Sequence, residues 1–204
     1  MTSKEEKFFA QLRGFVGFCE QAGRLQAGVF KGDRLPEEGY AAIRDIKRCS
    51  REDLGKLWER MYRAYGKPSE VDMARELVTR FYQIIDMTGA SIGSVVTFPE
   101  NECPAGMIAM ADLIAHALEE IKKTMDYTVD IENNYMKMEA RCKKIYSFEE
   151  RGDKVFRESM RRLFQPSTDP LYVIRWKDAL QNAEQILDTT AGTVPLLQKL
   201  ITRY

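Results

Sequence analysis

Apolar residues in this chain recur at steps of three and four along most of its length, and alternation at steps of two is almost absent. The first period belongs to helices and the second to strands, so the pattern commits the chain to an all-α fold. Six helices are predicted. The first runs from about Lys4 to Val29 and ends at the loop KGDRLPEEG. The second covers about Tyr40 to Tyr65 and stops at GKPS, where Gly66 and Pro68 break it. The third takes Ser69 as its N-cap and ends near Phe98, before PENECPAG. The fourth runs from about Pro104 to Tyr127, and the fifth from about Ile131 to Phe164. QPSTDP makes the last turn, and the sixth helix occupies about Leu171 to Thr202.

The third and sixth helices contain an internal repeat. YQIIDMTGASIGSVV, from Tyr82, resembles EQILDTTAGTVPLL, from Glu184, which sets Asp86 against Asp188 at an offset of 102 residues. Each copy follows a helix closed by a turn containing proline. The expected architecture is a duplicated up-down unit: two three-helix bundles, residues 1–100 and 101–204, joined near Pro99 to Pro104.

Composition narrows the function. The 204 residues are 44% hydrophobic and 30% charged, as in globular proteins that fold in water. Lys plus Arg and Asp plus Glu each number 31, so net charge points to no nucleic acid and no acidic membrane surface. No apolar run approaches the roughly 18 residues that span a bilayer. MTSKEEKFF has no apolar signal core. Cys19, Cys49, Cys103 and Cys142 are scattered without a CxxC pair, which points away from zinc and from a disulfide framework. A reducing cytoplasm is the expected setting. His116 is the single histidine, and no GxSxG, GxGxxG or GxxxxGK[ST] is present, so nucleotide-loop and triad chemistries have little to build on.

Chemistry concentrates instead on carboxylates. On the fifth helix the inward stripe reads Met138, Cys142, Ile145, Glu149, Gly152, Phe156, Met160, Leu163. Glu149 in FEERGDKVF therefore falls on the packed face, and Asp153 borders it one turn on. On the sixth helix Glu184 and Asp188 flank the stripe Val173, Trp176, Leu180, Ala183, Leu187, Thr190, Val194, Leu197. Counted outward from the turn near Thr168, Asp153 is level with Glu184 and Glu149 with Asp188. Two facing pairs result, about one turn (~5.4 Å) apart. Gly152 leaves room between the acids for the partner helix or an ion.

Carboxylates held this close repel one another, and either take up protons or bind a cation. Oxygen donors suit Mg²⁺, Ca²⁺ and Mn²⁺, and iron in a multinuclear site. The competing reading pairs these acids with Arg151, Lys154 and Lys177 on a solvated face. Other features read more plainly. Asp112 and His116, four apart, offer a metal pair or simple packing. Arg157, Arg161 and Arg162 offer a docking patch or a solvated helix end that suits the helix dipole. Phe8, Phe9, Phe15 and Phe18 read as core, with any exposed remainder as an oligomer surface.

IYSFEERGDKVFRESMRRLFQPSTDPLYVIRWKDALQNAEQILD, from Ile145, resembles the C-terminal half of the PhoU-like phosphate transport regulators that accompany Pit-type transporters. The shared order is an E-x-x-x-D helix (Glu149, Asp153), a Leu163–Phe164 end, the Asp169–Pro170 loop, an Ile174, Trp176, Lys177 start and a second E-x-x-x-D (Glu184, Asp188). The likeness covers about 55 residues and is weak between Gly39 and Tyr127. It implies two three-helix bundles and a metal cluster, usually of iron, on paired E-x-x-x-D motifs. It also implies a non-enzymatic regulator of phosphate homeostasis that docks on an inorganic phosphate transporter or a signalling protein, peripheral to the membrane at most and able to form a homo-oligomer.

Only the second half carries the full motif. At the 102-residue offset Glu149 maps to Lys47, Asp153 to Arg51 and Glu184 to Tyr82, while Asp86 persists. The first half is thus expected to hold no metal, with Lys47 or Arg51 neutralising Asp86. A slip in register would bring Glu52 or Asp53 into place instead. Two rival functions remain: a metal-dependent helical-bundle enzyme, such as a di-iron carboxylate oxidase or a phosphohydrolase, and a metal-free scaffold. Ferritin-like di-iron sites use Glu-x-x-His pairs, and none occurs here.

Overall fold

A computed structural model describes residues 1–97, 103–166 and 168–202. Six α-helices make up its regular structure: α1 (Ser3–Lys31), α2 (Pro36–Ala64), α3 (Pro68–Thr97), α4 (Ala105–Asp126), α5 (Ile131–Leu163) and α6 (Pro170–Ile201). One short 3-10 turn, Tyr127–Val129, links α4 to α5. Among the described residues there is no strand, and no helix is long and apolar enough to cross a membrane.

The helix ends follow local chemistry. Thr2 caps α1 in a reciprocal box: its hydroxyl accepts from the Glu5 backbone N–H, and the Glu5 carboxylate accepts from the Thr2 N–H. Gly32 closes α1 in the left-handed region at φ 80°, which glycine adopts without steric cost. Asp169 caps α6 by accepting from Tyr172 N–H, with Pro170 at the first helical position. Two expected boundaries need correction. α2 starts at Pro36 rather than Tyr40, because Pro36 suits the first turn and Glu37 and Glu38 favour its positive end. Ser69 is not a cap but lies inside the first turn of α3, which Pro68 opens. The end expected at Phe98, and most of the expected junction from Pro99 to Pro104, lie outside the described residues.

Within each half, the helices pack as up-down neighbours: α1 and α3 flank α2, and α4 and α6 flank α5. The halves then join along two seams, α1 against α4 and α3 against α6. One large apolar core takes residues from both, including Phe8, Leu12, Phe15, Phe81, Ile114, Leu118, Leu180 and Val194, and a smaller cluster gathers Ala22, Val29, Ile43 and Ile92 in the first half. Phe8, Phe9 and Phe15 are fully buried, as expected, and Phe18 packs against the same core from its edge. At the α3–α6 seam the Arg80 guanidinium lies over Gly192, where a side chain would collide with it.

The candidate acidic site and its mirror

Regular helix geometry and the Asp169 cap set the register of α5 against α6, and with it the relation of the four acids. One carboxylate oxygen each of Glu149, Asp153 and Asp188 lie within 4.8 Å of one another. Glu184 sits one turn from Asp188 on α6 and shares its field. Glu149, Asp153 and Glu184 are half-buried, and Asp188 is exposed.

Proximity perturbs these groups. Burial pushes the Glu149 carboxyl above its ordinary range, with Asp153, Asp188 and Glu150 adding to the shift. Glu184 rises for the same first reason, then through the charges of Asp188, Asp153 and Glu149. Asp188, although exposed at its surface, is partly desolvated by the helices around its carboxyl, which raises it first, with the charge of Asp153 adding to the shift. No base lies within ion-pair distance of Glu149, Glu184 or Asp188 among the described residues. Asp153 alone has one, Arg157 at 2.9 Å across an exposed turn.

The bases expected to pair with the cluster do not reach it. Arg151 lies over the Phe148 ring, 5.6 Å from its centre. Lys177 donates to Gln181 at 2.9 Å and lies near Asp178. Gly152 does allow close approach, but by the partner helix: the Leu187 side chain fills the space a Cβ would take, with Met110 behind it. Three half-buried or exposed carboxylates without bases, beside a fourth that has one, are a donor set of hard oxygens able to hold a divalent or trivalent cation.

The equivalent place in the first half has opposite chemistry. Lys47 Nζ on α2 lies 2.5 Å from Asp86 Oδ1 on α3, so the expected neutralisation is made by Lys47. Arg51 leans on the Tyr82 hydroxyl, which raises the guanidinium pKa further, with Asp86 adding to it. At the 102-residue offset these positions correspond to Glu149 with Asp188 and to Asp153 with Glu184. Glu52 and Asp53 are engaged elsewhere. Glu52 meets Arg48, and Asp53 accepts from Gln11 of α1 at 2.6 Å.

The remaining candidates separate from the cluster. Asp112 pairs with Lys31 of α1 at 2.5 Å. His116 is exposed, stacks on Phe148 at 5.8 Å and sets Nδ1 2.8 Å from the Asp112 carbonyl. Arg157, Arg161 and Arg162 are exposed on the last turns of α5. Burial pushes the Cys103 and Cys142 thiols up to about 12 and Cys19 higher still, so none of the three is a ready thiolate.

One charged centre escaped the sequence reading. Glu120 on α4 is 7% exposed, and its carboxylate meets Arg141 of α5 at 2.7 Å and Lys123 at 3.2 Å. Arg141 also donates to the Tyr127 hydroxyl at 3.2 Å. Burial alone would raise the Glu120 pKa, but hydrogen bonds from Arg141 and Lys123 hold it below the ordinary value. The signal was present: counted outward from Asp130, Glu120 and Arg141 stand at nearly equal heights on the α4–α5 hairpin.

Comparison with known proteins finds no family model and no curated protein that matches this chain.

Proposed function

We propose that this chain is a non-enzymatic helical scaffold of the PhoU-like kind, regulating inorganic phosphate transport by docking on a Pit-type transporter or a signalling partner. In this reading Glu149, Asp153, Glu184 and Asp188 hold a metal ion or cluster, iron by the resemblance, with Mg²⁺, Mn²⁺ or Ca²⁺ as alternatives. The observation that carries the metal is the convergence of Glu149, Asp153 and Asp188 within 4.8 Å, with Glu184 in the same field and one base on the set. When bound, a cation neutralises the mutual repulsion of the acids and cross-links α5 to α6. Because it binds only the folded hairpin, it stabilises that hairpin by its binding free energy. The regulatory role rests on the resemblance of the α5–α6 sequence and on a cytoplasmic setting.

Metal analysis of protein purified without chelator, beside Glu149→Ala/Asp188→Ala, tests the metal. Bound metal in the wild type and its loss in the variant are expected. Metal-free wild type would leave a scaffold without a cofactor, the second reading, which the Arg157–Asp153 ion pair favours. Redox or hydrolytic turnover by the metal-loaded protein would replace the regulator with an enzyme. Co-purification with a Pit-type transporter in detergent, sensitive to salt or to substitutions on the exposed face, tests the docking.

A further inference from the structure

The groove between α2 and α3 carries a charge pattern that the metal does not explain. Arg44, Lys47, Arg48 and Arg51 recur at i, i+3, i+4 and i+7, so they share one face of α2 over about 10 Å. All four line a groove of about 730 Å³ whose only acidic lining residue among the described residues is Glu52. Its α3 wall is Gly89, Ala90, Gly93, Ser94 and Thr97, small and without charge. Both glycines are needed there: a Cβ at Gly89 would press on the Lys47 stem at 2.9 Å, and one at Gly93 on the Tyr40 ring at 3.1 Å.

Neutralisation of this face is incomplete. Lys47 is held by Asp86, and Arg48 by Asp45 and Glu52. Arg51 leans on the Tyr82 hydroxyl, with Asp86 attracting it only at longer range, and Arg44 has no partner among the described residues. Arg44 with Arg48, and Lys47 with Arg51, are like-charge pairs one turn apart, an arrangement that weakens a helix unless an anion offsets it. Guanidinium groups also fit phosphoryl oxygens through paired N–H donors.

We propose that the α2–α3 groove is a binding site for an anion carrying several phosphoryl groups, with Arg44, Arg48 and Arg51 as its donors. The groove is too long for a single tetrahedral oxyanion to reach all three bases, whereas a chain of phosphoryl groups or a polyphosphorylated headgroup spans them. The site stands whether or not α5 and α6 hold a metal.

The test is calorimetric titration of the full chain, in chelator, with inorganic tripolyphosphate at low and high salt, and with orthophosphate as the comparison. Phosphatidylcholine vesicles with and without phosphatidylinositol bisphosphate separate a lipid headgroup from a soluble source. Arg44→Gln/Arg48→Gln/Arg51→Gln alters three exposed side chains, leaves the Lys47–Asp86 pair in place, and is checked for folding by circular dichroism. Saturable, salt-sensitive binding of tripolyphosphate or of the inositide vesicles is expected, falling on the order of tenfold or more in the triple variant. Glu149→Gln/Asp188→Gln should bind like the wild type. The proposal is overturned by no saturable binding to either probe, by undiminished binding in the triple variant, or by orthophosphate binding as tightly as tripolyphosphate.

Discussion

The Leu187 side chain of α6 occupies the space directly above Gly152 of α5, between the levels of the two acids of that helix. This contact fixes how closely α5 and α6 approach, and so how closely their carboxylates face one another.

Gly152→Ala should therefore destabilise the protein, although alanine is the better helix former by about 1 kcal/mol. Overpacking against buried Leu187 outweighs that gain, leaving a net loss of about 1–2 kcal/mol in denaturant unfolding. In a Leu187→Ala background the same substitution should cost less, and a double-mutant cycle reads the coupling. Equal costs in both backgrounds would mean that Leu187 is not the obstacle.

Restoring acids to the first half tests the mirror relation. Lys47→Glu/Arg51→Asp/Tyr82→Glu, with Asp86 unchanged, rebuilds the four-carboxylate pattern on α2 and α3. Metal bound per chain should about double, since four carboxylates supply oxygen donors of the kind hard cations take, with water completing the shell. Unchanged stoichiometry in a folded variant would show that the level of the acids is insufficient. The wild-type first half should bind none.

Stability without metal should rise as pH falls from neutral toward the ordinary carboxylate range. Glu149, Glu184 and Asp188 all have raised pKa values in the folded chain. Such groups favour folding fully below their unfolded values, and lose that contribution as pH rises through the folded ones. Solvent screening of these partly exposed groups keeps the effect on the order of 0.5 kcal/mol. Glu184→Gln/Asp188→Asn should flatten the slope in thermal melts, and saturating metal should reverse it.

Glu120 acts in the opposite direction. Its lowered pKa contributes stability above the ordinary carboxylate range, lost as pH falls through the folded value. Arg141→Met leaves the buried carboxylate with only Lys123 and the more distant Lys144, and should cost about 2–4 kcal/mol. Glu120→Gln/Arg141→Met should recover much of that loss. A double variant no more stable than Arg141→Met would locate the cost in packing rather than in the stranded charge.

The fold was legible because helical rise is regular: six periodic segments and their Gly and Pro breaks sufficed to place α1, α4, α5 and α6 within a few residues. Counting outward from Thr168 put four acids at two levels; three of them, Glu149, Asp153 and Asp188, stand within 4.8 Å of one another, and Glu184 is not in that triad. Which base would reach Asp153 was not legible, because Arg151, Lys154 and Arg157 all lie within a turn and rotamers decide among them. Glu120 counts to the level of Arg141, but nothing in the local sequence marks it as buried, so the pair did not stand out from the many exposed charges of α4 and α5. The start of α2 was misplaced because Pro36 reads as a breaker, although proline in a first turn is also a beginning.

The larger core takes side chains from α1, α2 and α3 as well as from α4, α5 and α6, so parting the α1–α4 or the α3–α6 seam would bare apolar surface in both halves at once. The α2–α3 pair is therefore held by packing on its far side, whatever charge its groove side carries at Lys47 and Arg51.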